Sequence, residues 1–558
     1  MLFAVCFVFM YDGGCQLNHL QSNLYQLLKE IDVICKEHDI QYFLAGGTAL
    51  GTVRNHCFLP WDDDIDLYIT RDNWNKLKKL LEEGKIELPK ERSFSYSENT
   101  EYYCNPIPRY TNHSTTAIYK SQALAAKACG QHIELLIMDP MPLDVKKQEQ
   151  YQTLLKVYTE LISPYFVVNK NLSIADFKSH YRLYNKYYWK SKILGRERVI
   201  KQLEKWLLQF SEEECDTYCM RWGINILMYK KEHFGKGRLE RFETECFPVG
   251  EHAEGIFRVA YGDSWMYVPE NDEQIVHNAL QDLDTPFHES TDNYMPFVNR
   301  RRVFRAFQRN KRSNVKAFVH RRLVEKSEAE VKAYLFEQEN ASALQNRIQE
   351  LDSLLKNREY EQLNSILQSY YTLQLNRNVR RYGIQVKIDD EVLYVAMMNY
   401  IEQGRYYVAN NLLKMRKIST EPLSENILKA EKLINVCREL SVLIYDKKDY
   451  DKLQEVLEIY EKEFPKQIDI LRSRLWLMDK KADSDAEWEK IISLADKTLE
   501  LYPFDGEAMA FLAHAQLKLG DKERALDVYK KAVTKTRNGM IWEKVNMESG
   551  ISRITDNI

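Results

Sequence analysis

The chain of 558 residues contains no run approaching eighteen apolar residues, the length a helix needs to cross a bilayer. Its apolar beginning, Met1–Met10, is too short to span and has no basic flank of the kind that opens a secretory signal. It reads as a first strand or as an imprecise start. Cysteine is present without a framework: nine of ten fall before residue 250, and Cys215 and Cys219 stand one helical turn apart with no second pair or histidine cluster to complete a metal site. Buried, reduced thiols in a cytosolic protein are the expectation, either soluble or peripheral at the inner face of a membrane. An excess of one charge is also missing. With 79 basic and 82 acidic residues, net −3, nothing global points to nucleic acid.

What is present is length, apolar content and one dense motif. The length predicts two or three domains, and 44% hydrophobic residues suffice for their cores. Leu20, Leu24, Leu27, Ile31 and Ile34 recur at helical spacing and predict an amphipathic helix. After it, residues 42–69 read YFLAGGTALGTVRNHCFLPWDDDIDLYI. A strand-like stretch, Tyr42–Ala45, enters Gly46-Gly47-Thr48; a short helix ends near Arg54, and a second strand begins among Asp62, Asp63, Asp64 and Asp66. Carboxylates this close repel, and a divalent cation is an economical counter-charge. Read as a strand, the segment places Asp62, Asp64 and Asp66 on one face and Asp63, Ile65 and Leu67 on the other. The first three are the metal candidates, and their hard oxygens suit Mg²⁺ or Mn²⁺ better than Zn²⁺. Gly46, Gly47 and Thr48 form a candidate phosphate cradle, since glycines admit close approach and N–H groups at a helix start favour anions. Arg54 is a candidate second clamp, or a structural partner of the acidic cluster. A phosphate cradle beside a carboxylate–metal site suits phosphoryl or nucleotidyl transfer.

The segment resembles the signature of the LicD family of phosphotransferases, within the nucleotidyltransferase superfamily and similar to fukutin-related enzymes. The matching residues are Gly46, Gly47, Thr48, Leu50, Gly51, Val53, Arg54, Phe58, Pro60, Trp61, Asp62, Asp63, Asp64, Ile65 and Asp66, with Cys57 where the family has glycine. Met138-Asp139-Pro140 resembles a later family block and places Asp139 as the third carboxylate; Glu134, interrupting the apolar stretch Ile133–Met138, is the rival. Phe242-Glu243, Pro248-Val249, Tyr261-Gly262-Asp263, Pro269 and His277 resemble the closing blocks, and Arg109 and His277 are further site candidates. The resemblance covers roughly residues 20–290.

The resemblance implies an α+β nucleotidyltransferase-like catalytic domain, a small mixed sheet with flanking helices, over residues 1–295. It carries a helical insert at about 145–235. Tyrosines crowd Tyr151–Tyr188 among basic residues, for which helix packing is the favoured account over a sugar or choline site. Residues 296–340 read as a basic helical linker. Eleven Lys or Arg fall between Arg300 and Lys326 against the single acid Glu325, a stretch suited to an anionic membrane surface, an anionic polymer or solvent. Residues 341–558 resemble an all-α, tetratricopeptide-like solenoid. Gly506–Lys531 is its clearest unit, and Trp488 and Lys522 stand 34 apart, whereas Tyr406 and Tyr450 stand 44 apart. Such a surface usually takes a protein partner.

For activity, the resemblance implies transfer of phosphocholine or a related phospho-alcohol from CDP-choline or another CDP-alcohol to a hydroxyl of a cell-surface glycan, teichoic acid or glycolipid precursor in a bacterium, as in lipopolysaccharide modification. Asp64, Asp66 and Asp139 would act in catalysis, and Asp62, Asp64, Asp66 and Asp139 would hold magnesium. A nucleotidyltransferase moving NMP from an NTP, and a non-catalytic binding protein working through its repeats, are the alternatives.

Overall fold

In a computed structural model the chain is described at residues 17–59, 61–100, 103, 106–118, 129–162, 186–187, 189–191, 193–222, 225–269, 280–289, 339–375, 389–417 and 421–535. Met1–Met10, Pro60, His277 and the basic segment 300–326 lie outside them. The described chain divides into a sheet-containing unit, 17–262 with 280–289, and a helical unit, 339–535 with 263–269.

The sheet unit opens with α1, His19–Glu37, started by a capping box in which the Asn18 side chain accepts from the Gln21 N–H. Its buried stripe includes Leu24, Leu27, Leu28 and Ile31, as the spacing predicts, and it packs on the sheet. β1 (Tyr42–Leu44), α2 (Gly46–Asn55), β2 (Ile65–Thr70) and α3 (Arg71–Glu82) follow, then β3 (Arg92–Ser95), β4 (Arg109–Asn112), β5 (Thr116–Ile118) and β6 (Gln131–Pro140). The main sheet runs β1-β2-β6-β4-β3. β2 and β6 pair in parallel, with Asp66 opposite Glu134; β4 pairs antiparallel to the first half of β6, with Arg109 opposite Glu134. All six residues of β2 are buried, which is why it reads as a nearly continuous apolar strand. The face carrying Tyr68, Leu136 and Met138 joins Phe43 and Ala45 in one core cluster.

Two sequence expectations are corrected here. The insert at 145–235 is helical only in part. After α4 (Val145–Ile162) and a helix at Arg196–Leu207, the chain forms β7 (Thr217–Trp222) and β8 (Asn225–Lys230), and β7 extends the main sheet by pairing with Met138–Pro140 of β6. Tyr218, Met220 and Tyr229 bury on the sheet core, the alternate positions 218 and 220 facing inward as on a strand. The span 1–295 is also not uniform, although 280–289 stay with the sheet unit. Residues 263–269 belong to the helical unit, because Asp263 is held by Arg438 and Asn410, each at 3.1 Å, and the Tyr267 ring packs 4.6 Å from that of Tyr407. A further hairpin, β9 (Arg238–Phe242) and β10 (Glu245–Val249), precedes a helix at Ala253–Tyr261, and β11 (Leu280–Asp282) pairs with β5.

The helical unit runs from Ile348–Lys356 to Lys522–Lys535. Successive helices pack on one another over a core that includes Leu363, Ala396, Leu412 and Ile434. Among the described residues, no helix is long and apolar enough to cross a membrane.

Candidate active site

The site forms where β1 ends and β2 begins. The Ala45 N–H donates to Asp66 O at 2.9 Å, so the glycine turn that opens α2 is tied to the start of β2. Gly46 takes φ +54°, and a Cβ there would stand 3.1 Å from Asp66 Oδ2. At Gly47 a Cβ would stand 2.8 Å from Asp62 Oδ2, closer than carbon and oxygen tolerate. The glycines therefore admit two carboxylates against the first turn of a helix, where N–H dipoles favour negative charge. Thr48 lies buried under this turn, and its hydroxyl accepts from the Asp66 N–H at 3.4 Å.

Strand parity explains less of the acidic run than the sequence suggests. β2 begins at Ile65, so Asp62, Asp63 and Asp64 precede it and Asp66 alone is a strand residue; Gly-Gly and the buried loop, not the pleat, place the others. Burial first, and then the charges of Asp64, Glu134 and Asp62, hold the Asp66 carboxyl well above the ordinary range, while Arg109 opposes them. Asp66 is buried and its Oδ1 has no hydrogen-bond partner, an arrangement costly to folding unless a cation completes it. Asp63 is buried too.

The carboxylate that the strands set beside Asp66 is Glu134, not Asp139. Parallel register sets Glu134 beside Asp66. Asp139 is five residues further along β6, roughly 16 Å at the strand rise, and an odd number of residues puts it on the other face. Its carboxylate is gripped by Arg71, Nε to Oδ1 at 2.6 Å and Nη2 to Oδ2 at 3.1 Å. Glu134 is engaged by fully buried Arg109 through Oε1, from Nε at 2.9 Å and Nη2 at 2.5 Å. Arg109, Glu134 and Asp66 thus form one row across three strands, a cross-strand arrangement in which opposite charges attract. His132 lies close by, with Nε2 4.0 Å from Glu134, and burial followed by the Arg109 charge drives its pKa well below the usual value.

Arg54 and Tyr261 close the other side. Burial lowers the Arg54 guanidinium to about 9, against the favourable charges of Tyr261 and Asp62. Tyr261, at the end of the helix Ala253–Tyr261, is raised well above its ordinary value by burial, then by Asp62, Tyr229 and Asp66. Its place beside the carboxylates was not foreseen as a site role, although its position in a Tyr-Gly-Asp block was a usable signal. The β9–β10 hairpin braces the approach to the acidic loop: the Phe58 N–H donates to Glu243 Oε1 at 2.9 Å, and the Glu243 N–H to His56 O at 2.7 Å. Gln21 of α1 reaches the same loop, donating to Asp62 O at 3.5 Å.

Among the described residues, no three His, Cys, Asp or Glu side chains enclose a ready metal cage. The donor set is an open cluster of hard oxygens. Hard oxygens of this kind are the donors that divalent cations such as Mg²⁺ take, and Asp66 Oδ1 is without a hydrogen-bond partner.

The family model for the LicD/FKTN/FKRP nucleotidyltransferase domain matches residues 39–122, which include the glycine turn, the aspartates and Arg109 but end before Glu134. Over 50 residues the chain is 42% identical to the lipopolysaccharide cholinephosphotransferase LicD of Haemophilus influenzae, a stretch covering 9% of this chain and 19% of that protein. Uncharacterized proteins of Rickettsia prowazekii and Rickettsia typhi match at 36% over 59 residues and 33% over 63, covering 11% of this chain in each case and 22% and 20% of theirs. The chain spans about a fifth of the length of the curated relatives it matches.

Proposed function

We propose that the sheet unit is a divalent-metal-dependent phosphotransferase. It moves phosphocholine or a related phospho-alcohol from a CDP-linked donor to a hydroxyl of a cell-surface glycan, teichoic acid or glycolipid precursor. The observation that carries this reading is the glycine turn closing on Asp62 and Asp66 at the head of a helix. The family match over 39–122 and the likeness to the Haemophilus cholinephosphotransferase support it.

Asp62, Asp64 and Asp66 would hold Mg²⁺ or Mn²⁺, which when bound neutralises phosphate charge as the nucleotide leaves. The backbone of Gly46 and Gly47 receives phosphate oxygens, and Arg54 supplies a fixed positive charge beside Asp62. Glu134 takes the place expected for Asp139. The Arg109 bonds to Glu134 fall on Oε1, and Oε2 would complete the donor set or accept the acceptor's proton. Thr48 acts beneath the turn, fixing β2 through the Asp66 N–H.

The test is release of CMP from CDP-choline, and from other CDP-alcohols, with Mg²⁺ or Mn²⁺ and a glycan acceptor. Metal-dependent CMP release that Asp66→Asn removes supports the reading. Pyrophosphate release from an NTP instead replaces it with nucleotidyl transfer, the reaction for which the matching domain family is named. Neither release, with no metal binding by calorimetry, leaves a binding protein. The helical unit, read as a tetratricopeptide-like solenoid, would carry a protein partner, and the whole would work in the cytoplasm, where segment 300–326 gives a contact for an anionic inner membrane face.

A further inference from the structure

A second buried charge cluster lies wholly in the helical unit. Arg472, on the helix Ile468–Lys481, donates from Nε to Asp505 Oδ2 at 2.8 Å and stands with Nη2 3.0 Å from Glu507 Oε2. Its Nη1 is 4.0 Å from Asp469 Oδ1. Three carboxylates therefore meet one guanidinium, and all four groups are buried. Two of the acids also have local duties: Asp505 accepts the Ala508 N–H at 2.7 Å, and Asp469 accepts from Gln467 Nε2 at 2.9 Å.

Beside this cluster is a cavity of about 30 Å³ lined by Asp469, Arg472, Glu507 and Ser441, with Tyr445 and Trp476 among the rings that wall it. Ser441 is buried and its hydroxyl has no hydrogen-bond partner, so a polar group is aimed into the space with nothing to meet it. A π-helical segment, Val442–Lys447, follows directly and carries Tyr445 to the wall. Such segments trade regular helix bonds for side-chain placement and concentrate at functional sites. The volume admits one group of roughly solvent size. Two lining carboxylates, Asp469 and Glu507, outnumber the one lining guanidinium of Arg472, and with a hydroxyl and ring faces they suit a compact cation bearing several donors.

We propose that this cavity binds a primary alkylammonium group, as carried by a lysine side chain of a partner or by a small amino alcohol. The site stands apart from the transferase reading and does not depend on it. Isothermal titration of the full chain with n-butylammonium chloride, at ionic strength held by tetramethylammonium chloride, tests it. The expected result is saturable binding that butanol does not reproduce. Asp469→Asn weakens it by about tenfold or more, and Ser441→Leu, which fills the cavity, abolishes it; circular dichroism identifies which variants keep the wild-type fold. Nα-acetyl-lysine methylamide and ethanolamine then distinguish the sources, the tighter ligand naming the class. Absence of heat with n-butylammonium up to about 50 mM, or equal binding by wild type and a folded variant, overturns the proposal.

Discussion

Of the buried arginines, Arg109 and Arg472 organise charge in opposite ways. Arg472 collects one carboxylate from its own helix, Asp469 three residues before it, and two from the start of another, Asp505 lying 33 residues away. Two of those acids cap or brace a helix start, so the local fold uses them. Arg109 reaches one carboxylate of an acidic group drawn largely from sequence neighbours, Asp62, Asp64 and Asp66. Asp66 has an orphaned oxygen and no structural bond through it. The comparison separates acids that the fold employs from an acid that the fold merely tolerates, and the second kind marks chemistry.

That contrast can be broken most forcefully at the arginines. Arg472→Met strands three buried carboxylates and is expected to cost about 3–5 kcal/mol in urea unfolding of the full chain. Arg109→Met strands Glu134 beside Asp66 and falls at the lower end of that range, and Glu134→Gln in the same chain restores most of the loss. Equal losses without restoration would mean that the two clusters are not different in kind.

Asp66→Asn should act on function alone. Metal-dependent CMP release falls on the order of 10²–10³-fold, while the thermal midpoint without metal holds or rises, because a buried charge among like charges is removed. A drop in that midpoint would make Asp66 structural. Asp139 offers a finer comparison. Asp139→Asn leaves Arg71 unpaired and lowers stability by about 1–3 kcal/mol, yet slows CMP release far less than Glu134→Gln does. The reverse ranking would return the third carboxylate to Asp139.

The smallest effect is in pH. His132 is held neutral in the fold, with its pKa lowered by burial and by Arg109. The unfolded chain therefore binds the extra proton below about pH 6.5, so this contribution to stability is present above that pH and lost as pH falls from there toward the lowered folded value. His132→Asn should flatten the profile over that window, read as chemical-denaturation midpoints between pH 5 and 7; an unchanged slope assigns the loss to other groups.

Much of the site was legible in the chain. Gly46-Gly47 before a helical stretch, and Asp62, Asp64 and Asp66 at the head of a strand, pointed to each other because glycine and clustered carboxylate each make poor structural sense alone. The α1 stripe and the strand at Tyr42 followed from periodicity, which is a local property. Parity failed over Asp62–Asp64 because the strand starts at Ile65, and a sequence does not display the residue at which hydrogen bonding to a neighbour begins. The β7–β8 hairpin reads as part of a helical insert because the helices Val145–Ile162 and Arg196–Leu207 precede it.

By itself, then, the sequence determined the inventory: the glycine turn, the hard-oxygen donors, the absence of a long apolar run, and a helical C-terminal half. Only the tertiary structure decided which acids share a site. Parallel register between β2 and β6 puts Glu134 next to Asp66 and sends Asp139 to Arg71, while Arg438 and Asn410 draw Asp263 into the helical unit. Composition and spacing act along the chain; register and charge pairing act across it, between residues as far apart as 68 and 175 positions, and those pairings form only when the strands and helices have packed.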